Sequence, residues 1–143
     1  MKNPISFTLI GFLSLIFSGC STDDNKMEEE NFLLGSWQLV QAYSNPGAGA
    51  GEWNYVEDGY IYSFSETGEF SSTRFQDCTT GSFTSEFSLL VLDFGCDGFS
   101  AGIEDPEGVF VEKYNFEGQF LVLTPTYLSC DEGCGFKFRK IRK

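Results

Sequence analysis

This sequence predicts an all-β domain, a sandwich or barrel of short strands, and three observations carry that reading. Eight segments rich in aromatic and β-branched residues recur between residues 35 and 141, with turn signals between them. No window of helical length shows an apolar stripe flanked by caps. The 16 glycines punctuate the chain at intervals suited to many short strands. No internal repeat is visible, which excludes a propeller or a solenoid.

The segments follow in order. The first strand, 35–43, is succeeded by Asn45-Pro46-Gly47-Ala48-Gly49-Ala50-Gly51, a flexible loop. In 60–65, Tyr60, Tyr62 and Phe64 alternate with smaller residues and so share one face, the side predicted to point inward. Glu66-Thr67-Gly68 reads as a three-residue hairpin loop with glycine in the left-handed position. The returning strand, 69–76, continues the inward face with Phe70, and alternation carries Arg74 to the same side. Strands 82–84, 89–94, 109–116, 119–124 and 135–141 complete the set, with Glu117-Gly118 as a two-residue turn.

Ahead of these strands, residues 1–19 have the layout of a signal peptide. One lysine lies within the first three residues, 5–18 are almost wholly apolar, and small residues precede Cys20. About 14 apolar residues are too few to span a bilayer, which needs roughly 20. Ser18-Gly19-Cys20 resembles a bacterial lipobox, with Phe17 departing from the usual leucine, and the resemblance implies lipidation of Cys20. Lipidation by more than one chain anchors a protein stably, so an outer-membrane lipoprotein of the cell envelope is expected. Residues 20–31 then form an acidic tether with no periodic apolar face. Fully stretched, the tether reaches on the order of 35 to 40 Å. Acidic residues directly after the lipidated cysteine resemble the export signal of surface lipoproteins in Bacteroidetes-type bacteria. Residues 32–143 remain as one small domain.

The net charge is −12, and all 21 acidic residues fall between Asp23 and Glu132, whereas five of the 9 basic residues lie in 137–143. So acidic a body disfavours nucleic acid as a partner, and its charge is expected to hold the domain off anionic lipid heads. Four cysteines follow Cys20, and in an exported chain an even number argues for disulfides, with three connectivities open. Cys130 and Cys134 are close enough to bridge across a turn, which leaves Cys78 with Cys96, a loop whose closure contributes roughly 3 kcal/mol. A zinc site is the alternative, disfavoured because only one close cysteine pair is present and histidine is absent.

Four short motifs in order resemble the lipocalin-like domains of small bacterial lipoproteins. Leu34-Gly35-Ser36-Trp37-Gln38-Leu39 matches the glycine-x-tryptophan strand of lipocalins, and Tyr62-Ser63-Phe64-Ser65-Glu66-Thr67-Gly68-Glu69-Phe70 matches the second hairpin. Cys78-Thr79-Thr80-Gly81-Ser82-Phe83 and Phe120-Leu121-Val122-Leu123-Thr124 fit the same pattern. The resemblance covers 32–143 and implies an eight-stranded antiparallel up-and-down β-barrel. It also implies that Trp37 closes the barrel floor beneath a basic residue of the last strand, Arg139 or Arg142. Two departures are the missing C-terminal helix and the short domain.

A barrel of eight strands is either packed with side chains or just wide enough for one small ligand. Of the 16 phenylalanines, 13 lie after residue 31, together with 6 tyrosines and 2 tryptophans, and these rings would either line a pocket or form the core. The leading expectation is a small apolar or amphipathic ligand with Tyr60, Tyr62, Phe64 and Phe70 as its wall and Arg74 as polar contact; Arg74 could instead turn out to solvent at the rim. The competing class is a packed interaction module whose loops at 45–51 and 98–108 touch another envelope protein. Catalysis is not expected. With no histidine, no free thiol and no glycine-x-serine-x-glycine elbow, a nucleophile lacks a base. The carboxylates of Glu57-Asp58 and Glu104-Asp105-Pro106-Glu107-Gly108 could serve glycoside hydrolysis or calcium, but their loop setting makes solvated turns the first reading. No metal, cofactor or phosphate-cradling loop is indicated.

Overall fold

The computed structural model describes residues 32–45, 47, 49–130 and 133–142. Cys20, the signal peptide and the acidic tether lie outside the described residues. Nine antiparallel strands are present among them: β1 (Gly35–Ser44), β2 (Glu52–Tyr55), β3 (Ile61–Phe64), β4 (Glu69–Ser72), β5 (Thr80–Glu86), β6 (Leu89–Phe94), β7 (Val109–Glu117), β8 (Phe120–Pro125) and β9 (Gly135–Lys140). Each pairs with its sequence neighbour from β3 to β9, and β9 returns to β1, so eight strands close a barrel. The extra strand, β2, was not anticipated. It lies on the same edge of β1 as β3, pairing Gln41 to Ser44 while β3 pairs Gly35 to Gln38. Four residues separated from β3 by a glycine-containing turn carry too little pattern to be read as a strand.

Alternation decides what each strand buries. Phe110, Glu112 and Tyr114 face the interior from β7, Leu121 and Leu123 from β8, and Phe138 from β9. A register shift between Leu39 and Gln41 marks a bulge in β1, which bends the strand where its partner changes from β3 to β2. At that bend the backbone of Gly59 lies against Leu39; a Cβ there would fall 2.1 Å from the Leu39 carbonyl oxygen. Gly81 is needed for a similar reason. Its missing side chain lets the Phe70 ring lie across β5, and a Cβ would meet that ring at 2.7 Å and the Asp93 carbonyl oxygen at 2.0 Å.

The hairpins confirm one expected turn and move another. Ser65 and Glu69 close the loop with Gly68 at φ 78°. The β7–β8 turn is Gly118 and Gln119, one residue beyond the Glu117-Gly118 expected, because Glu117 still pairs with Phe120. These two hairpins and the β5–β6 turn at Phe87 and Ser88 lie at the end of the barrel where β1 begins. The opposite end carries the longer connections. Both expected disulfides form there, Cys78–Cys96 with Cα atoms 5.8 Å apart and Cys130–Cys134 at 5.5 Å.

The β6–β7 connection folds back over its end of the barrel. Phe99 packs on Phe75 and Phe94 with ring centroids 5.1 and 5.2 Å away. Glu104, expected in a solvated turn, is instead buried: its carboxylate accepts backbone N–H bonds from Ala101 (2.7 Å), Ile103 (3.0 Å) and Gly108 (3.0 Å). Burial raises its pKa, but the amides of Gly108, Ala101 and Ile103 more than offset this and hold the carboxyl at about 2. The folded value is depressed, so its stabilisation is complete above the ordinary value of 4.5 and is lost as pH falls toward 2. Glu104→Gln is expected to flatten that acid-side slope in urea titrations. Hydrogen exchange at the three amides should speed up by about tenfold, as for the loss of one charge-assisted bond, while exchange in β7 and β8 stays unchanged.

Candidate functional site

Of the five residues expected to bind a ligand, the structure brings Tyr60, Tyr62 and Arg74 together, while Phe64 and Phe70 pack on other rings and line a groove of about 860 Å³ along β3, β4 and β5. Tyr60 meets Tyr62 and Phe138 edge-on at 5.3 and 5.5 Å, and Tyr62 stacks in turn toward Phe64 and Phe70 at 5.9 and 6.1 Å. Phe64 reaches Phe83, and Phe70 reaches Phe94, both at 4.9 Å. Tyr62, Phe110, Phe138, Leu90, Leu92 and Leu121 expose no surface at all, so no space for even one water adjoins them. At this level the aromatic residues fill the barrel.

Arg74 does point inward, and the rim alternative does not hold. Its side chain is 13% exposed. The guanidinium lies over Phe75, Phe110 and Tyr60 at 4.9, 5.0 and 5.5 Å. One of its nitrogens donates to the hydroxyls of Tyr62 and Tyr127, both at 3.2 Å. Tyr127 passes the chain on by donating to Glu112 Oε1 at 2.6 Å, and Arg74 stands 3.9 Å from the same oxygen. Glu112 Oε2 has no partner among the described residues.

Glu112 and Tyr127 were not foreseen. The signal for Glu112 was nevertheless present: between Phe110 and Tyr114, alternation gives it an inward place. Its burial pushes the carboxyl up to about 7, against the weaker pull of Tyr127 and Arg74. Burial likewise pushes Tyr62 up to about 12, so this phenol is neutral near pH 7. The cluster therefore offers a cation already engaged by the Tyr62 and Tyr127 hydroxyls with the Glu112 carboxyl beside it, a poor receptor for a further anion.

A second arrangement lies where β1 begins. Trp37, nearly fully buried, donates from Nε1 to the Leu33 carbonyl at 2.7 Å, which draws the chain ahead of β1 across the barrel end. Lys140 sits over the indole at 5.1 Å and donates to the Phe32 carbonyl at 3.2 Å. The cation on Trp37 is thus Lys140, in place of the expected Arg139 or Arg142. Register supplies the reason: Lys140 is directly opposite Trp37 and shares its inward side, whereas Arg139 is opposite Gln38. Beside this pair opens a bowl of about 460 Å³ with Phe32, Trp37 and Phe116 as apolar surface and Arg139, Lys140 and Arg142 as its cations. Arg139 and Arg142 have no ion-pair partner among the described residues.

No protein-family model and no curated protein matches this chain. A lipocalin-like protein from Bacteroides uniformis ATCC 8492 has the same architecture, with a TM-score of 0.51 at 23% identity, covering 77% of this chain and 99% of that one. The barrel is lipocalin-like. An uncharacterised protein from Bacteroides eggerthii DSM 20697 is similar as well, with a TM-score of 0.50 at 20% identity over 76% of this chain and 98% of that one. At these identities the shared property is the fold. The lipocalin-like barrel agrees with the expectation from the glycine-x-tryptophan strand and the second hairpin. Among the described residues no group of three or more acidic or cysteine side chains is placed to hold a metal.

The interior cluster of the lipocalin-like barrel is testable through stability. Arg74→Met leaves Glu112 buried without its cation and is expected to cost about 3 to 5 kcal/mol in urea unfolding, whereas Arg74→Met with Glu112→Leu should recover most of that loss. The pH dependence has a definite sign. The folded carboxyl is raised above its ordinary 4.5, so its contribution is full below that value and falls away as pH climbs to about 7. Glu112→Gln should remove this decline, measured as unfolding midpoints between pH 4 and 8; an unaltered slope would assign the decline to other groups.

Proposed function

We propose that the protein is a non-catalytic binding barrel of the cell envelope, tethered to the outer membrane by lipid on Cys20, and that its ligand is an anionic amphiphile held at the Trp37 end. The observation that carries this reading is the bowl of about 460 Å³, where an aromatic floor adjoins three cations. That combination suits an acyl chain or ring with a carboxylate or phosphate head, because apolar burial supplies affinity and charge-assisted hydrogen bonds fix the head. The tight packing of Tyr62 on Phe64, Phe70 and Phe138 supports a ligand at this end over one against the wall of Tyr60, Tyr62, Phe64 and Phe70. No catalytic step is assigned, since neither the bowl nor the Arg74 cluster combines a nucleophile with a base.

A second reading, an interaction module, is favoured by one observation. The β6–β7 connection is stiffened by Cys78–Cys96 and by Glu104, and it exposes Ile103, the pre-organised kind of loop that a protein partner can grip.

Trp37 is the reporter for the first reading. In a Trp53→Phe background its fluorescence is expected to respond saturably to dodecanoate and dodecyl phosphate, and far less to dodecyl maltoside. Arg139→Ala with Arg142→Ala should weaken the anionic ligands by at least about tenfold, given about 1.4 kcal/mol per decade and 1.5 to 3 kcal/mol for a bond to a charged group. Equal responses to charged and neutral amphiphiles would overturn the assignment of the head group. For the anchor, Cys20→Ala should move the protein from the membrane fraction to the soluble one.

A further inference from the structure

Phe87 is 96% exposed and adopts φ 51° at the tip of the β5–β6 hairpin, followed by Ser88 at 61°. A two-residue turn with both φ values positive prefers asparagine and glycine, and a phenylalanine is disfavoured there. Among the described residues no ring pairs with it to compensate. A large apolar side chain held outward in an unfavourable conformation suggests that something outside the molecule covers it.

The same end of the barrel carries the other exposed apolar groups near the chain termini, Phe32 at 63% and Ile141 at 38%. It also carries Arg139, Lys140 and Arg142 beside the bowl, a local concentration of positive charge on a chain of net −12. The first described residue, Phe32, lies at this end, where Lys140 donates to its carbonyl. Glu66 and Glu69 on the β3–β4 hairpin and Glu86 before Phe87 share this end, while its cations lie on the side of β8, β9 and β1. On that side Glu117 is neutralised by Lys137 at 3.1 Å.

We infer that the barrel docks end-on against an anionic phospholipid bilayer. In this pose Phe87 and Phe32 enter the head-group layer, Arg139, Lys140 and Arg142 meet lipid phosphates, and the bowl opens toward the bilayer. A bilayer fits because the surface is an apolar rim with cations set among it, and because the tether brings that surface to the membrane. The inference refines the expectation that acidity holds the domain away: the body is repelled, and the repulsion turns the basic end inward. It rests on the tether reading but not on a ligand in the bowl.

The test uses the mature chain from residue 20 with Cys20→Ser, so that no acyl chain contributes, sedimented with vesicles of phosphatidylcholine alone or mixed with phosphatidylglycerol. Three cations near the surface should favour the mixed vesicles by about 100-fold. Phe87→Asn is the decisive variant, because it should raise the thermal midpoint while weakening vesicle binding by about tenfold or more. Its response to dodecyl phosphate should stay that of the parent. Unchanged vesicle binding by Phe87→Asn, or equal binding to both kinds of vesicle, overturns the docking. Loss of dodecyl phosphate binding with vesicle binding intact would overturn the bowl's ligand and leave the docking standing.

Discussion

β1 serves two edges at once, and the barrel exists because it does. One edge holds β9 from Trp37 to Tyr43; the other holds β3 and then β2. A strand ten residues long can do this only by bending midway, which the bulge at Val40 and the close approach of Gly59 permit. Closure leaves no edge exposed for pairing with other chains along most of the sheet. It also fixes the register that sets Lys140 opposite Trp37, so the bowl is a by-product of the seam. The first described residues and the end of β9 meet there, with Lys140 donating to the Phe32 carbonyl.

The strands were legible because the interior is one-sided: each buries alternate residues, and that period is visible in the sequence. Tyr62, Phe64, Phe70 and Arg74 were placed on the inward face by the same rule. The rule is silent about what an inward residue finds there. Whether Phe64 lines a void or closes it depends on rings from β4 and β5, a distance no local pattern encodes. Lys140 illustrates a second limit. Choosing it over Arg139 needs the pairing of β9 with β1 to within one residue, and a bulge nearby makes that register unreadable from spacing. Glu104 was misread because a carboxylate in a proline- and glycine-rich loop resembles a solvated turn until the backbone curls around it.

Two buried carboxylates show how environment outweighs residue type. Glu104 is met by three amides and stays charged; Glu112 meets one phenol at hydrogen-bond distance, an arginine farther off, and otherwise apolar walls. Both sit at the end of the barrel opposite the bowl, one in the covering loop and the other beneath it. The polar chain from Arg74 through Tyr127 to Glu112 joins the segment after β4 to β7 and to the segment after β8. Hydrogen bonds across three separate stretches of chain hold their relative positions more strictly than apolar contact alone.

The absent side chain at Gly81 has a further reach. Phe70 fills the barrel because that position has only hydrogens to offer, and the ring and the glycine form a matched pair across β4 and β5. Engineered holes of about 150 Å³ lined by apolar groups stay dry and accept benzene, roughly the bulk of one such ring. Hollow and solid versions of this barrel are thus separated by little more than the identity of a few aromatic positions. A lineage could gain or abandon an internal ligand without altering a single strand.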